Sequence, residues 1–196
     1  MKVFYKPSKI DVMMKYNLTS RGYDELYGEE QIEKCLEVRR EIKTLKDKTV
    51  LDIGCGTGII EGMLLEAKHI IGLDISIEMI KIAKNKYKGD YVISWINADA
   101  ENLPIKSESI DISLMITVMQ NIPNPLNALR EIERTLKIGG EAIVTYPKAH
   151  YKPEEILEDT SKLEFLKNIG FKTTCTKDII VKLKNGGIGK RNLYKD

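Results

Sequence analysis

The chain has 196 residues, 42% hydrophobic and 31% charged, and its 31 basic against 29 acidic residues leave a formal net charge of +2. That length buries an ordinary core without staples, and so even a balance gives no clustered basic face for nucleic acid. Three cysteines without paired C-x-x-C spacing and two separated histidines offer no metal-ligand set and point to reduced thiols in a cytoplasmic protein, while no apolar run approaches the roughly twenty residues of a membrane span and Lys2–Lys15 mixes polar with apolar side chains as no signal peptide does.

Residues 1–28 hold several tyrosines and little periodicity. From Glu29 to Leu45 apolar residues recur at Ile32, Leu36, Ile42 and Leu45, which predicts a helix covering one edge of a sheet. Strands are expected near 49–53, 70–73, 91–96, 111–116 and 141–146, with gaps that suit right-handed crossovers. After the second strand, Ser76 reads as the N-cap of a helix whose apolar positions are Ile77, Ile80, Ala83 and Tyr87. Asn124 and Pro125 open a further helix, with Leu126, Leu129, Ile132 and Leu136 turned inward and Gly139-Gly140 at its stop. Another helix is expected from about Glu154 to Gly170. The pieces Phe171–Cys175 and Asp178–Leu183 are too close for a crossover, so they should form a hairpin with the last strand antiparallel.

The first strand runs into a glycine turn, Val50-Leu51-Asp52-Ile53-Gly54-Cys55-Gly56-Thr57-Gly58. Closely spaced glycines after a buried strand bring the backbone against a nucleotide-like ligand. A dinucleotide turn would read G-x-G-x-x-G; here the third glycine comes one residue early. Asp52 at the mouth would repel a pyrophosphate and favour a cationic amine, since charges a few ångströms apart in a partly buried cleft interact by roughly several kcal/mol. S-adenosylmethionine combines adenosine with an ammonium and carries no phosphate.

Three more segments accompany this one. Ile70-Ile71-Gly72-Leu73-Asp74-Ile75-Ser76 is an apolar strand ending in an acid, the position from which a carboxylate grips a ribose diol. Asn97-Ala98-Asp99-Ala100-Glu101-Asn102-Leu103-Pro104 follows the third strand, with a turn cap before Pro104 as the alternative role for Asp99. Ser109 to Asn121 is a strand whose carboxyl end opens onto the reaction site of a doubly wound sheet.

With these motifs the chain resembles the class I S-adenosylmethionine-dependent methyltransferases over about Thr49 to Tyr146, and most of all the ubiquinone/menaquinone-biosynthesis type of domain. The resemblance implies an α/β fold: a doubly wound, Rossmann-like, seven-stranded sheet with the last strand antiparallel and helices on both faces. It implies an N-terminal lid segment and cap helix over 1–45, a cofactor domain over 46–185 and a basic tail over 186–196. It implies S-adenosylmethionine as cofactor, held by Asp52, Gly54, Gly56 and Gly58, by Asp74 and Ile75 at the ribose, by Asp99 and Ala100 at the adenine, and by Thr117. Tyr23, in the segment Arg21 to Gln31, would belong to a lid over the methionine end; its ring would serve equally as an anchor for that segment.

Methyl transfer from a sulfonium requires in-line approach more than a dedicated catalytic group, and a base only when the acceptor arrives protonated. His69 precedes the second strand and so lies at the wrong end of the sheet. Candidates for touching the acceptor are Gln120, where family members often carry histidine, together with Tyr146 and His150 beyond the fifth strand. The Asn/Asp-Pro-Pro-Tyr tetrad of amino-methylases is absent, since the fourth strand continues as Met115-Ile116-Thr117. Three functions follow: methylation of an O, N or C atom of a small molecule; methylation of tRNA or other RNA, with a small activator subunit and the lysine-rich stretch Lys182–Lys195; or cofactor-dependent regulation without turnover. A homo-oligomer is compatible with each.

Overall fold

The computed structural model describes residues 7–172 and 177–187. Two N-terminal helices, α1 (Lys9–Thr19) and α2 (Tyr23–Glu41), meet at a 3-10 turn, Ser20–Gly22. The rest alternates: β1 (Thr49–Ile53), β2 (His69–Asp74), α3 (Ile77–Lys86), β3 (Ile93–Asn97), β4 (Ile110–Met115), α4 (Pro125–Thr135), β5 (Leu136–Pro147), α5 (Pro153–Ser161), β6 (Leu166–Lys172) and β7 (Asp178–Asn185). The strands form one seven-stranded sheet in the order β3-β2-β1-β4-β5-β7-β6. β1 pairs in parallel with β2 and β4, whereas β7 runs antiparallel to both β5 and β6.

Burial on both faces explains the near-continuous apolar runs of β1, β4 and β5. Alternate side chains supply two cores: Leu51 and Ile53 pack with Leu129 and Ile132 of α4 and Ile156 of α5, while Val50, Ile70 and Leu114 pack with Val38 of α2. Each such aliphatic side chain contributes about 1.5–3 kcal/mol on removal from water. The chain winds outward from β1 to β3 and then returns to β4 on the other side of β1. This reversal leaves a crevice at the carboxyl ends of β1 and β4.

The N-terminal segment departs from the pattern read in the sequence. It is helical from Lys9, a start marked by a capping box in which Ser8 Oγ accepts the Asp11 amide and Asp11 accepts the Ser8 amide. The inward face of α2 is Gly28, Lys34, Cys35 and Val38. Ile32 and Leu36 stand 44% and 43% exposed, and Ile42 and Leu45 are buried only beyond the helix end. A buried lysine at an inward position disguises the apolar stripe. Likewise α5 ends at Ser161, not Gly170, and β6 begins at Leu166. There Glu133 Oε1 on α4 accepts the amides of Phe165 at 2.6 Å and Leu166 at 2.7 Å, a tertiary contact that opens the strand.

Two smaller corrections concern β5 and β7. Leu136, expected inside a helix, opens β5 opposite Ile110, and a register shift then brings Glu141 opposite Ile112. Lys182, which opens the lysine-rich stretch, lies within β7 and is engaged inside the fold: it pairs with Glu141 at 3.0 Å and donates to the Glu41 carbonyl at 2.8 Å. Of the hairpin, Thr173–Cys175 lies outside the described residues, as do Lys190 and Arg191.

Candidate functional site

The crevice opens into a cleft with about 700 Å³ of empty space, open solvent included. Gly54 and Gly56 line it from the turn after β1, Asp74 and Ile75 from the end of β2, Asp99 and Ala100 from the loop after β3, and Thr117 from the end of β4. Tyr23 closes it from above, with Lys9, Val12 and Tyr16 of α1 beside it.

The turn is shaped by its backbone. Gly54, Gly56 and Gly58 all have positive φ, at 76°, 56° and 79°. A Cβ on Gly54 would strike Val118 Cγ2 at 2.3 Å, whereas one on Gly56 would meet nothing within 4 Å and would occupy the cleft itself. Gly58 lines no part of the cleft: a Cβ there would press on Trp95, Tyr87 and Ala83, and its carbonyl accepts the Tyr87 hydroxyl at 2.9 Å. This glycine seats the turn against α3 and β3.

Asp74 is buried, and its two oxygens accept the Gly56 amide at 2.9 Å and the Ser76 amide at 2.8 Å. Burial raises its pKa, against the lowering pull of those amides. Each carboxylate oxygen retains capacity for a further donor, the requirement for receiving two hydroxyls. Asp99 is more heavily engaged: Oδ1 caps the turn by accepting the Glu101 amide at 2.9 Å, and Oδ2 pairs with Lys9 at 2.6 Å. Glu131 and Arg134 of α4 hold the same loop through the Leu103 amide and carbonyl.

Asp52 lines a smaller recess that continues the cleft past Gly54, Gly56 and Tyr23, with Gln31 and Cys35 on its far wall. It is 3% exposed and Glu61 is wholly buried. Burial, reinforced by the Asp74 charge, pushes the Asp52 carboxyl up to about 7, and burial and Asp52 together drive Glu61 well above the carboxylate range.

On the far side of Thr117 lies an open cavity with about 820 Å³ of empty space, open solvent included, lined by Glu30, Lys34, Gln120, the stretch Pro147–His150, Lys177 and Asp178. Thr117, with φ of 58°, belongs to both spaces. A β-branched residue in that region costs on the order of 1–3 kcal/mol and persists only where neighbours fix it. Here the Thr117 amide donates to Thr145 Oγ1 at 2.8 Å, its hydroxyl donates to Asp178 at 2.9 Å, and Gln120 Nε2 donates to its carbonyl at 2.7 Å. Buried Lys34 reaches the same hydroxyl at 3.3 Å and pairs with Asp178 at 3.1 Å and Glu30 at 2.9 Å.

Gln120 and His150 therefore face this second cavity, and Tyr146 does not. The Tyr146 ring is 1% exposed, packed edge-on against Tyr151 in the core below, with its hydroxyl unpartnered among the described residues. Strand alternation turns it away from the cleft, which removes it as an acceptor contact. His69 sits at the amino end of β2, opposite the cleft. Tyr16 and Asn121, which the sequence did not single out for the cleft, meet there when Asn121 Nδ2 donates to the Tyr16 hydroxyl at 2.9 Å. Only the Ser8-x-x-Asp11 capping box, as a marker of α1, could have brought Tyr16 forward.

Among the described residues no group of His, Cys, Asp and Glu is arranged for a metal ion, and no helix is long and apolar enough to cross a membrane.

Residues 51–144 match the family model described as a methyltransferase domain. The chain is 39% identical over 145 residues to the uncharacterized protein MJ1252 of Methanocaldococcus jannaschii, covering 72% of this chain and 54% of that protein. To MJ1123 of the same organism it is 30% identical over 190 residues, covering 88% of this chain and 87% of that one. A demethylmenaquinone methyltransferase of Clavibacter sepedonicus is 26% identical over 71% of this chain and 58% of its own length. The chain thus spans little more than half of the first and last of these. In fold it is similar to the [4+2]-cyclase SpnF, with a TM-score of 0.81, 16% identity and coverage of 93% and 97%, and to the chain from a complex of the Haloferax volcanii Trm112 methyltransferase activator with a putative methyltransferase, at 0.76, 17%, 87% and 97%. Sheet order, glycine turn and strand-end acids agree with these likenesses, and the chain belongs to the class I S-adenosylmethionine-dependent methyltransferases.

Proposed function

We propose that this protein transfers the methyl group of S-adenosylmethionine to an O, N or C nucleophile of a small molecule. The observation that carries the reading is Thr117, strained and clamped between the cleft lined by the glycine turn and strand-end acids and an open hollow suited to an acceptor. The cofactor supplies an already activated methyl on its sulfonium, so positioning supplies the rest of the rate. In this reading Asp74 accepts the ribose hydroxyls with Ile75 beside it, Asp99 and Ala100 meet the adenine, and Gly54 and Gly56 admit the nucleoside to the backbone. Asp52 faces the ammonium, and Tyr23 and Tyr16 exclude water from the methionine end. Gln120 and His150 orient the acceptor from the second cavity. Residues 1–45 act as lid and cap, 46–185 as the cofactor domain and 186–196 as a basic tail. The two described cysteines, Cys35 and Cys55, are free thiols, which supports a cytosolic setting.

A second reading is methylation of RNA with a small activator subunit. The Haloferax volcanii neighbour, seen in complex with an activator, favours keeping it. Incubating the chain with methyl-labelled cofactor and fractionated extract decides between them. Label in the small-molecule fraction supports the proposal. Label in RNA selects the second reading, and tight cofactor binding with no label anywhere points to a regulatory protein.

A further inference from the structure

We propose that Glu61 is a positioning residue of the cofactor cleft: with Asp52 it forms a carboxyl pair that shares protons in the free protein and releases one when an ammonium group docks beside Asp52. The inference rests on the cofactor reading above and adds to it a residue that lines none of the cleft.

The geometry is that of two acids with too few donors. Glu61 follows the glycine turn at the start of a 3-10 turn, Glu61–Met63, and is 0% exposed. Both of its oxygens, and Oδ1 of Asp52, are buried without a hydrogen-bond donor among the described residues. Asp52 of β1 is the register partner of Gly72 in β2, where Glu61 Oε1 lies, so the two carboxyl groups stand side by side and the one that keeps its proton can donate to the other. Gly72 in β2 leaves room for this arrangement, since a Cβ there would lie 2.9 Å from Glu61 Oε1.

The surroundings add negative charge and little to offset it. Asp74 of β2 faces Asp52, and Cys35 of α2 and Cys55 of the turn are neutral thiols held up by burial. Tyr87 at the end of α3 is neutral, and Lys86 on α3 lowers Glu61 only as a minor influence. Two adjacent buried carboxyls cannot both ionise, so in the free protein Glu61 keeps its proton and Asp52 is partly protonated near neutral pH. A cation on the open side of Asp52 favours its ionised form. The Asp52 proton then leaves to solvent, and Glu61, still protonated, donates to the carboxylate and holds it toward the recess.

Calorimetric titration of the full chain with S-adenosylhomocysteine, in phosphate and in Tris at the same pH, counts the protons exchanged. With Asp52 titrating at about 7, release should be about half a proton at pH 7, approach one at pH 6 and fade by pH 8. 5′-Methylthioadenosine, which lacks the ammonium, should bind without release. Glu61→Gln, whose amide still donates, should release as the wild type does, because burial and the Asp74 charge keep Asp52 raised, whereas Glu61→Leu, which removes the donor, should raise Asp52 further and carry release on to pH 8. Binding with equal heats in both buffers from pH 6 to 8 overturns the proposal while leaving the cofactor reading intact. Release by Glu61→Leu that fades by pH 8 as in the wild type removes Glu61 from it. No binding of S-adenosylhomocysteine overturns both.

Discussion

The carboxylate of Asp74 accepts the backbone amide of Gly56 at 2.9 Å, so the acid ending β2 and the glycine turn ending β1 are one unit. Changing Asp74 removes both a ligand contact and a brace of the turn. Asp74→Ala should weaken S-adenosylmethionine binding more than tenfold in calorimetry, because hydrogen bonds to a charged group are worth about 1.5–3 kcal/mol each. Asp74→Asn, which keeps one acceptor, should lose less. An unchanged affinity for Asp74→Ala takes the residue out of the site.

Gly56 and Gly58 should separate binding from folding. Gly56→Val places its side chain in the open cleft and should abolish cofactor binding while a cooperative unfolding transition survives. Gly58→Val drives against Trp95, Tyr87 and Ala83 and should lower the melting temperature first. Normal binding by Gly56→Val would show that the ligand does not lie over the turn.

Lys34 and Asp178 are 4% and 1% exposed and pair at 3.1 Å, joining α2 to β7. Removing Lys34 takes away the buried cation that offsets the Asp178 charge, so Lys34→Met should cost about 3–5 kcal/mol in urea unfolding. Lys34→Met combined with Asp178→Leu should recover part of that. The same pair clamps Thr117, so turnover should fall in both variants; if Lys34→Met unfolds like the wild type, the pair contributes nothing to stability.

Gln120→Ala and His150→Ala should lower turnover more than cofactor affinity, since both line the cavity beyond Thr117. Single-turnover rates with a labelled acceptor fraction, set beside calorimetric affinities, measure the two separately. Loss of neither demotes both residues.

Stability should carry the mark of Asp52. Its folded value, about 7, lies above its ordinary 3.8, so its favourable contribution is complete below about 3.8 and disappears as pH rises through about 7. Asp52→Asn cannot lose a proton, and its melting temperature relative to wild type should climb between pH 4 and 8. A constant difference across that range would show that Asp52 is not buried beside a second acid. Glu30, Glu37, Asp111 and Glu131 have lowered values and destabilise the fold on acidification instead, in both proteins alike.

Local chemistry made much of this molecule legible in its sequence. A strand that must be buried on both faces, glycines that alone tolerate a positive φ beside a ligand, and an acid at the end of the next strand are each written within a few residues. So are the alternation of strands and helices and the reversed last strand, because crossover length limits what a chain can reach. What the tertiary structure decided depends on partners distant in sequence. Lys34 turned inward where Ile32 and Leu36 were expected, because Asp178 waits on β7 to neutralise it. Leu166 became a strand because Glu133 captures two amides there. Tyr146 faces the core, while Tyr16 meets the cleft and Gln120 the cavity beyond Thr117 through packing. Burial and long-range pairing set the energy of these side chains, and neither is encoded in a local window of residues.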